Sequence, residues 1–307
     1  MPVFDRLTPN SQGALWILAS VAGATAMTIA VRLLTPDLHS AMLAFLRSAI
    51  VAVLVVPPFF FRAKQRGRAL RFTVWKLHLL RGLLIGVALN SGFYAIWQLP
   101  MATASILFFM APVFATAFAN LFLGEPVGIR RWAAIATGFL GAMVILRPGF
   151  GTLEPAMPVA ILSSFAFAAA LILGRRIAAA DGPDAVFVSS SLVVAGVTLP
   201  PALFFWAMPS GLLAWAILGV LVAGSAVRTY ADIRAYAVGD AGFIAPFTYL
   251  RLLTVGVAGY VWFDETVDAL TIGGGVIIVG ATLYISLREA RLKRRRQGPR
   301  EAPSDPA

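Results

Sequence analysis

Apolar blocks of about twenty residues alternate along this chain with short polar connections, the length a helix needs to cross a ~30 Å hydrocarbon core. The clearest stretch is 81–149. It holds three such blocks in a row, separated by Gln98-Leu99-Pro100 and by Gly124-Glu125-Pro126-Val127-Gly128. Followed along the whole chain, the pattern predicts ten helices, at 14–34, 39–61, 77–97, 101–123, 131–146, 157–173, 185–206, 212–236, 241–263 and 267–287. A basic loop occupies 62–76, and a basic, then Pro-rich tail from 289 to 307 reads as disordered and cytoplasmic. The fold class is an all-α polytopic membrane protein.

The second half echoes the first. LFLGEP at 121–126 returns in outline as VWFDET at 261–266, and Glu125 and Glu265 stand 140 residues apart. Each echo follows a long apolar helix and precedes a Gly-rich one. Two five-helix units, 12–149 and 155–288, account for this. Five is odd, so the second unit enters the membrane from the opposite side, the inverted plan of many secondary transporters. The mid-helix prolines Pro112 and Pro246 do not obey the repeat. They precede their glutamates by 13 and 19 residues.

Composition fits this picture. The chain is 59% hydrophobic and 13% charged, against ~25% charged in a soluble domain. It has no cysteine and two histidines, His39 and His78, which excludes disulfides and thiolate metal sites and argues against a His-built metal centre. No cofactor or metal is expected. The net charge of +11 does not read as a nucleic-acid surface, because the basic residues sit in short loops and the tail. With the N-terminus inside, 19 of the 25 Lys and Arg face the cytoplasm and two, Arg32 and Arg147, face outward. Both termini are therefore expected in the cytoplasm, with the chain in the cell's inner (plasma) membrane. No nucleotide-binding or hydrolase motif is present, so a membrane-embedded enzyme is not expected.

The motifs MAPVF, LGEP and GFLGAMVILRPG between 102 and 149 resemble the first EamA domain of the drug/metabolite transporter superfamily. Phe45-Leu46-Arg47 fits the same family, as does Thr282-Leu283-Tyr284-Ile285 with Arg288-Glu289 behind it. The resemblance spans about 10–290 and is stronger in the first half; 228–234 stands outside it. It implies ten helices around a central cavity and alternating-access movement of small polar metabolites such as amino acids, most often outward. A subgroup resembling S-adenosylmethionine uptake carriers has a similar first half, which keeps uptake of such zwitterions open. Efflux of cationic drugs is a further alternative. The partners expected are a small-molecule substrate and the lipid bilayer, with the protein a monomer or a homodimer.

Charges inside a membrane are costly and point to function. Arg251 lies ten residues into its helix, where it either meets a substrate carboxylate or is tied to carbonyls and acidic groups of the protein. Arg228 and Asp232 lie four apart on one helix face, as an internal ion pair or as an arginine for substrate beside an aspartate for proton coupling. Arg47 contacts substrate or braces helices. Asn90, Tyr94 and Trp97 share a face with Gly82 and Gly86, either as a cavity wall or as an interhelical hydrogen bond and an interfacial anchor. Pro112 and Pro246 are candidate gating breaks. Glu125 and Glu265 are candidate helix caps or gate contacts.

Overall fold

The computed structural model describes residues 8–65, 70–123, 128–146, 154–239 and 241–297. These contain twelve helices and no strand: α1 (Pro9–Leu34), α2 (Ser40–Gln65), α3 (Trp75–Gln98), α4 (Met101–Phe108), α5 (Ala111–Leu123), α6 (Ile129–Leu146), α7 (Ala156–Asp181), α8 (Pro183–Leu203), α9 (Gly211–Val238), α10 (Ala241–Thr248), α11 (Leu250–Phe263) and α12 (Ala269–Gln297). Glu125, Arg147 and the end of the expected tail lie outside the described residues.

Among the described residues, seven stretches are long and apolar enough to cross a membrane, one of them Met101–Ala119, which runs through the junction of α4 and α5. Outward faces carry exposed Leu83, Leu140, Leu162, Leu253 and Val276, as lipid contact requires. The protein is a multi-pass membrane protein.

Two expected helices are each two. The helix expected over 101–123 breaks at Phe109-Met110, and that over 241–263 breaks at Tyr249. Pro112 is therefore the second residue of α5, not a mid-helix proline; a first-turn N–H has no carbonyl to meet, so its loss costs nothing there. Pro246 lies inside α10, two residues before its end. Backbone carbonyls at the first break are taken up from neighbouring helices. The Ser164 hydroxyl on α7 donates to Leu107 O at 2.9 Å, and the Thr282 hydroxyl on α12 donates to Phe109 O at 3.4 Å.

Some ends also move. α7 continues eight residues past the expected 173, through helix-forming Arg175, Arg176 and alanines. It stops at Gly182, whose φ of 86° only glycine adopts freely, with Pro183 opening α8. Residues 289–297 are helical, continuing α12, because Arg, Leu and Lys favour the helix and no breaker intervenes before Gly298.

Glycines set the helix pairings. A Cβ on Gly23 of α1 would stand 2.7 Å from Gly224 O on α9, and one on Gly224 would stand 2.8 Å from Gly23 O. Backbones meet there with no side chain between them. Gly141 of α6 and Gly274 of α12 meet in the same way, at 2.8 and 2.6 Å. Gly82 and Gly86 of α3 lie against Val193 and Val197 of α8. The core cluster around Met42, Leu43, Ile96, Leu107 and Met110 joins α2, α3 and α4.

Both ends of α3 are held by charge. At its N-terminus the Asp181 carboxylate accepts from the Thr73 and Val74 backbone N–H groups (3.1 and 3.2 Å) and from the Thr73 hydroxyl. His78 Nε2 lies 3.0 Å from the same carboxylate, and its Nδ1 is 2.5 Å from the Ser189 hydroxyl. At the C-terminus Arg32 donates to Ile96 O at 3.0 Å and to Trp97 O. Acid at the N-terminus and base at the C-terminus both complement the helix dipole.

Candidate functional site

The α1–α9 contact brings the polar residues of three helices to one level. Gly23 admits the Arg228 backbone, whose N would lie 2.9 Å from an added Cβ. One turn along α9, Asp232 accepts from the Ser20 hydroxyl of α1 at 2.5 Å. Two residues beyond Gly23, the Thr25 and Thr254 hydroxyls share a hydrogen bond of 2.7 Å between α1 and α11. Thr254 in turn donates to Arg251 O at 3.2 Å. Arg228, Asp232 and Arg251 thus flank the same stretch of α1. Arg228 lies within electrostatic range of Arg47 on α2 and of Arg251, and Asp232 within range of Arg251.

The internal Arg228–Asp232 pair does not form. Among the described residues the ion pairs are Arg32–Glu265 and His78–Asp181. Asp232 turns instead to Ser20, which the Gly23–Gly224 approach brings within reach. Arg47, Arg228 and Arg251 have no side-chain hydrogen bond or ion pair among the described residues, and the Nε atoms of Arg47 and Arg251 are buried. Of these three guanidinium groups, that of Arg251 lies within electrostatic range of the Asp232 carboxylate. A buried polar group without a partner normally costs stability, and arginine stays protonated throughout.

The α3 face divides. Asn90 donates from Nδ2 to Gly86 O of its own helix at 3.0 Å, and its Oδ1 is buried without a partner. Tyr94 and Trp97 pack edge to face at 6.0 Å between ring centroids. Trp97 meets His39 at 5.0 Å, and His39 stacks on Phe205 at 3.6 Å. Burial holds the His39 pKa below its usual value, favouring the neutral ring. This aromatic group lies at the end of α3 held by Arg32. Among the described residues no hydrogen bond or ring contact joins it to the three arginines.

The sequence reading missed the Arg32–Glu265 contact. Asp264 takes a left-handed backbone, φ 52°, which folds the chain back at the end of α11. Glu265 then lies over Gly259, where a Cβ would meet its Oε2 at 2.7 Å. Its Oε2 accepts from the Met101 N–H that opens α4, at 2.6 Å, and its Oε1 lies 2.8 Å from Arg32. Glu265 is thus a helix cap, but for a helix 164 residues away. The 264–265 reversal carried the only local signal.

Several helices of membrane length mark an integral membrane protein. The chain belongs to the EamA-type transporters of the drug/metabolite transporter superfamily. The model of the EamA-like transporter family matches residues 11–147. An S-adenosylmethionine uptake transporter of Rickettsia felis is 30% identical over 292 residues, covering 95% of this chain and 98% of that protein. A riboflavin transporter of Vibrio cholerae is 30% identical over 92% of this chain and 96% of its own length. A pseudopaline exporter of Pseudomonas aeruginosa is 29% identical over 88% and 95%. A crystal structure at 17% identity superposes with a TM-score of 0.60 over 92% of this chain and 98% of that one, which shows a shared fold.

Proposed function

We propose that the protein is a secondary carrier that moves a small carboxylate-bearing metabolite by alternating access. The observation that carries this reading is that the Arg47, Arg228 and Arg251 guanidinium groups have no hydrogen bond or ion pair among the described residues, with the Nε atoms of Arg47 and Arg251 buried. Asp232, across from Arg251, would receive a substrate amine or a coupling proton. Asn90 Oδ1 is a further free acceptor.

Two inverted halves, 12–149 and 155–288, are part of the proposal. The helix breaks at Phe109 and Tyr249 support them, lying 140 residues apart like Glu125 and Glu265. So do the proline pairs Pro57-Pro58 in α2 and Pro200-Pro201 in α8, helices that pack on each other. The cytoplasmic placement of both termini rests on the distribution of basic residues. Export is what the family resemblance implies.

Flux of labelled amino acids into proteoliposomes tests the reading. Arg251→Ala is expected to abolish transport of the substrate found. Unchanged transport in that variant would remove the site.

A second reading is uptake of S-adenosylmethionine, favoured by the name of the Rickettsia felis relative. The carboxylate would use the same arginines, and the sulfonium the faces of Tyr94 or Trp97. Competition between labelled S-adenosylmethionine and simple amino acids separates the two.

A further inference from the structure

The charges around the α1–α9 contact do not balance, and the imbalance specifies what balances them. Arg47, Arg228 and Arg251 contribute three permanent positive charges. Asp232 contributes one negative charge, and one of its oxygens is already taken by Ser20 at 2.5 Å. Of the other basic groups, Arg234 is exposed over the Trp16 ring, 5.6 Å from its centroid. Arg32 is neutralised by Glu265 at 2.8 Å and occupied by the carbonyls ending α3. Arg81 lies in the first turns of α3, near the end held by Asp181, where it donates to Ser190 and crosses Gly174.

We propose, resting on the carrier reading above, that the physiological substrate is a small dianion: a molecule whose acid groups exceed its amines by two, as in a dicarboxylate or a phosphate monoester. A zwitterionic amino acid brings no net charge and leaves the excess of two positive charges unbalanced. S-adenosylmethionine carries one carboxylate against an ammonium and a sulfonium, so it would enlarge the excess. A dianion cancels it. The geometry suits the same ligand. The guanidinium groups come from three separate helices, so two acid groups can be held by separate arginines. Each guanidinium presents a planar fork that matches a carboxylate or a phosphate.

The test uses the purified full-length protein in proteoliposomes, with labelled succinate, glycerol 3-phosphate, alanine and S-adenosylmethionine as probes. Succinate or glycerol 3-phosphate is expected to bind and cross at least ~10-fold more tightly than alanine, as one additional charge-assisted contact would give. Preference for succinate identifies the dicarboxylate form and preference for glycerol 3-phosphate the phosphate form. Arg47→Gln, Arg228→Gln and Arg251→Gln are each expected to weaken the dianion by ~10-fold or more and to narrow its preference over alanine. Arg251→Lys, which keeps the charge, should retain the preference and guards against a folding defect.

Alanine or S-adenosylmethionine binding as tightly as both dianions would overturn the proposal. The carrier reading would still stand if Arg251→Ala abolished that flux. Absence of binding by all four probes, or flux indifferent to all three arginines, would overturn the proposal and the site together.

Discussion

Phe109 and Tyr249 stack with ring centroids 5.0 Å apart and planes 27° from parallel, and each stands at the break in its own helix. The first closes α4 before α5 begins, and the second caps α11 after α10 ends. A break in a membrane helix exposes carbonyls that water cannot reach, so breaks belong where other groups meet them. Here the two breaks meet each other. Phe109→Ala and Tyr249→Ala, alone and together, should give a coupling energy of about 1 kcal/mol by thermal unfolding in detergent. Strictly additive effects would mean that the stack contributes nothing of its own.

Glu265 does two jobs at once, as partner of Arg32 and as cap of α4. Glu265→Ala leaves Arg32 and the Met101 N–H unmatched in a largely buried place. It should destabilise the protein by about 3 kcal/mol. Glu265→Gln keeps an acceptor for Met101 and should lose roughly half of that. Equal losses in the two variants would show that the cap, not the charge, is dispensable.

The α1–α9 crossing has no room for a side chain. Gly224→Val should destabilise by ~3 kcal/mol or prevent folding, because its Cβ would meet Gly23 O. Gly219→Val, one turn and a residue away on the same helix with nothing within 4 Å of its Cβ position, is the control and should be well tolerated. Similar yields of folded protein from both would contradict the close crossing.

His39 predicts a pH dependence. Burial lowers its folded-state pKa below the unfolded value near 6.5, so the unfolded chain takes up the proton first as pH falls. Its contribution to stability is complete above the unfolded pKa and is lost as pH drops through that value toward the folded one. The thermal midpoint should fall between pH 7.5 and 5.5, and His39→Phe, which keeps the stack on Phe205, should flatten that fall. An identical pH profile in the variant would assign the effect elsewhere.

Asp232 separates coupling from binding. Asp232→Asn is expected to lose transport driven by a proton gradient while retaining substrate exchange across proteoliposomes without one. Loss of both would make it a binding residue, and loss of neither would leave the Ser20 contact as its role.

Much of the helical layout was legible in the sequence, because a bilayer imposes a length on each apolar block and only helices or closed barrels satisfy backbone groups within it. Arg47, Arg228, Asp232 and Arg251 were legible as candidates for the same reason, since a charge stands out where charges are expensive. What the sequence could not give was partnership. The four-residue spacing of Arg228 and Asp232 suggested a pair, yet Asp232 is bonded to Ser20, 212 residues away. Prolines suggested where helices break, yet the first break precedes Pro112 and the second follows Pro246. Glu265 looked like a local cap and caps α4, 164 residues away. Hydrophobicity and helix propensity are local and act on each segment separately, so the chain's own pattern determined a helical membrane protein. Which helix lies against which depends on glycines that let two distant backbones touch, and only that contact decided that Asp232 bonds Ser20 rather than Arg228.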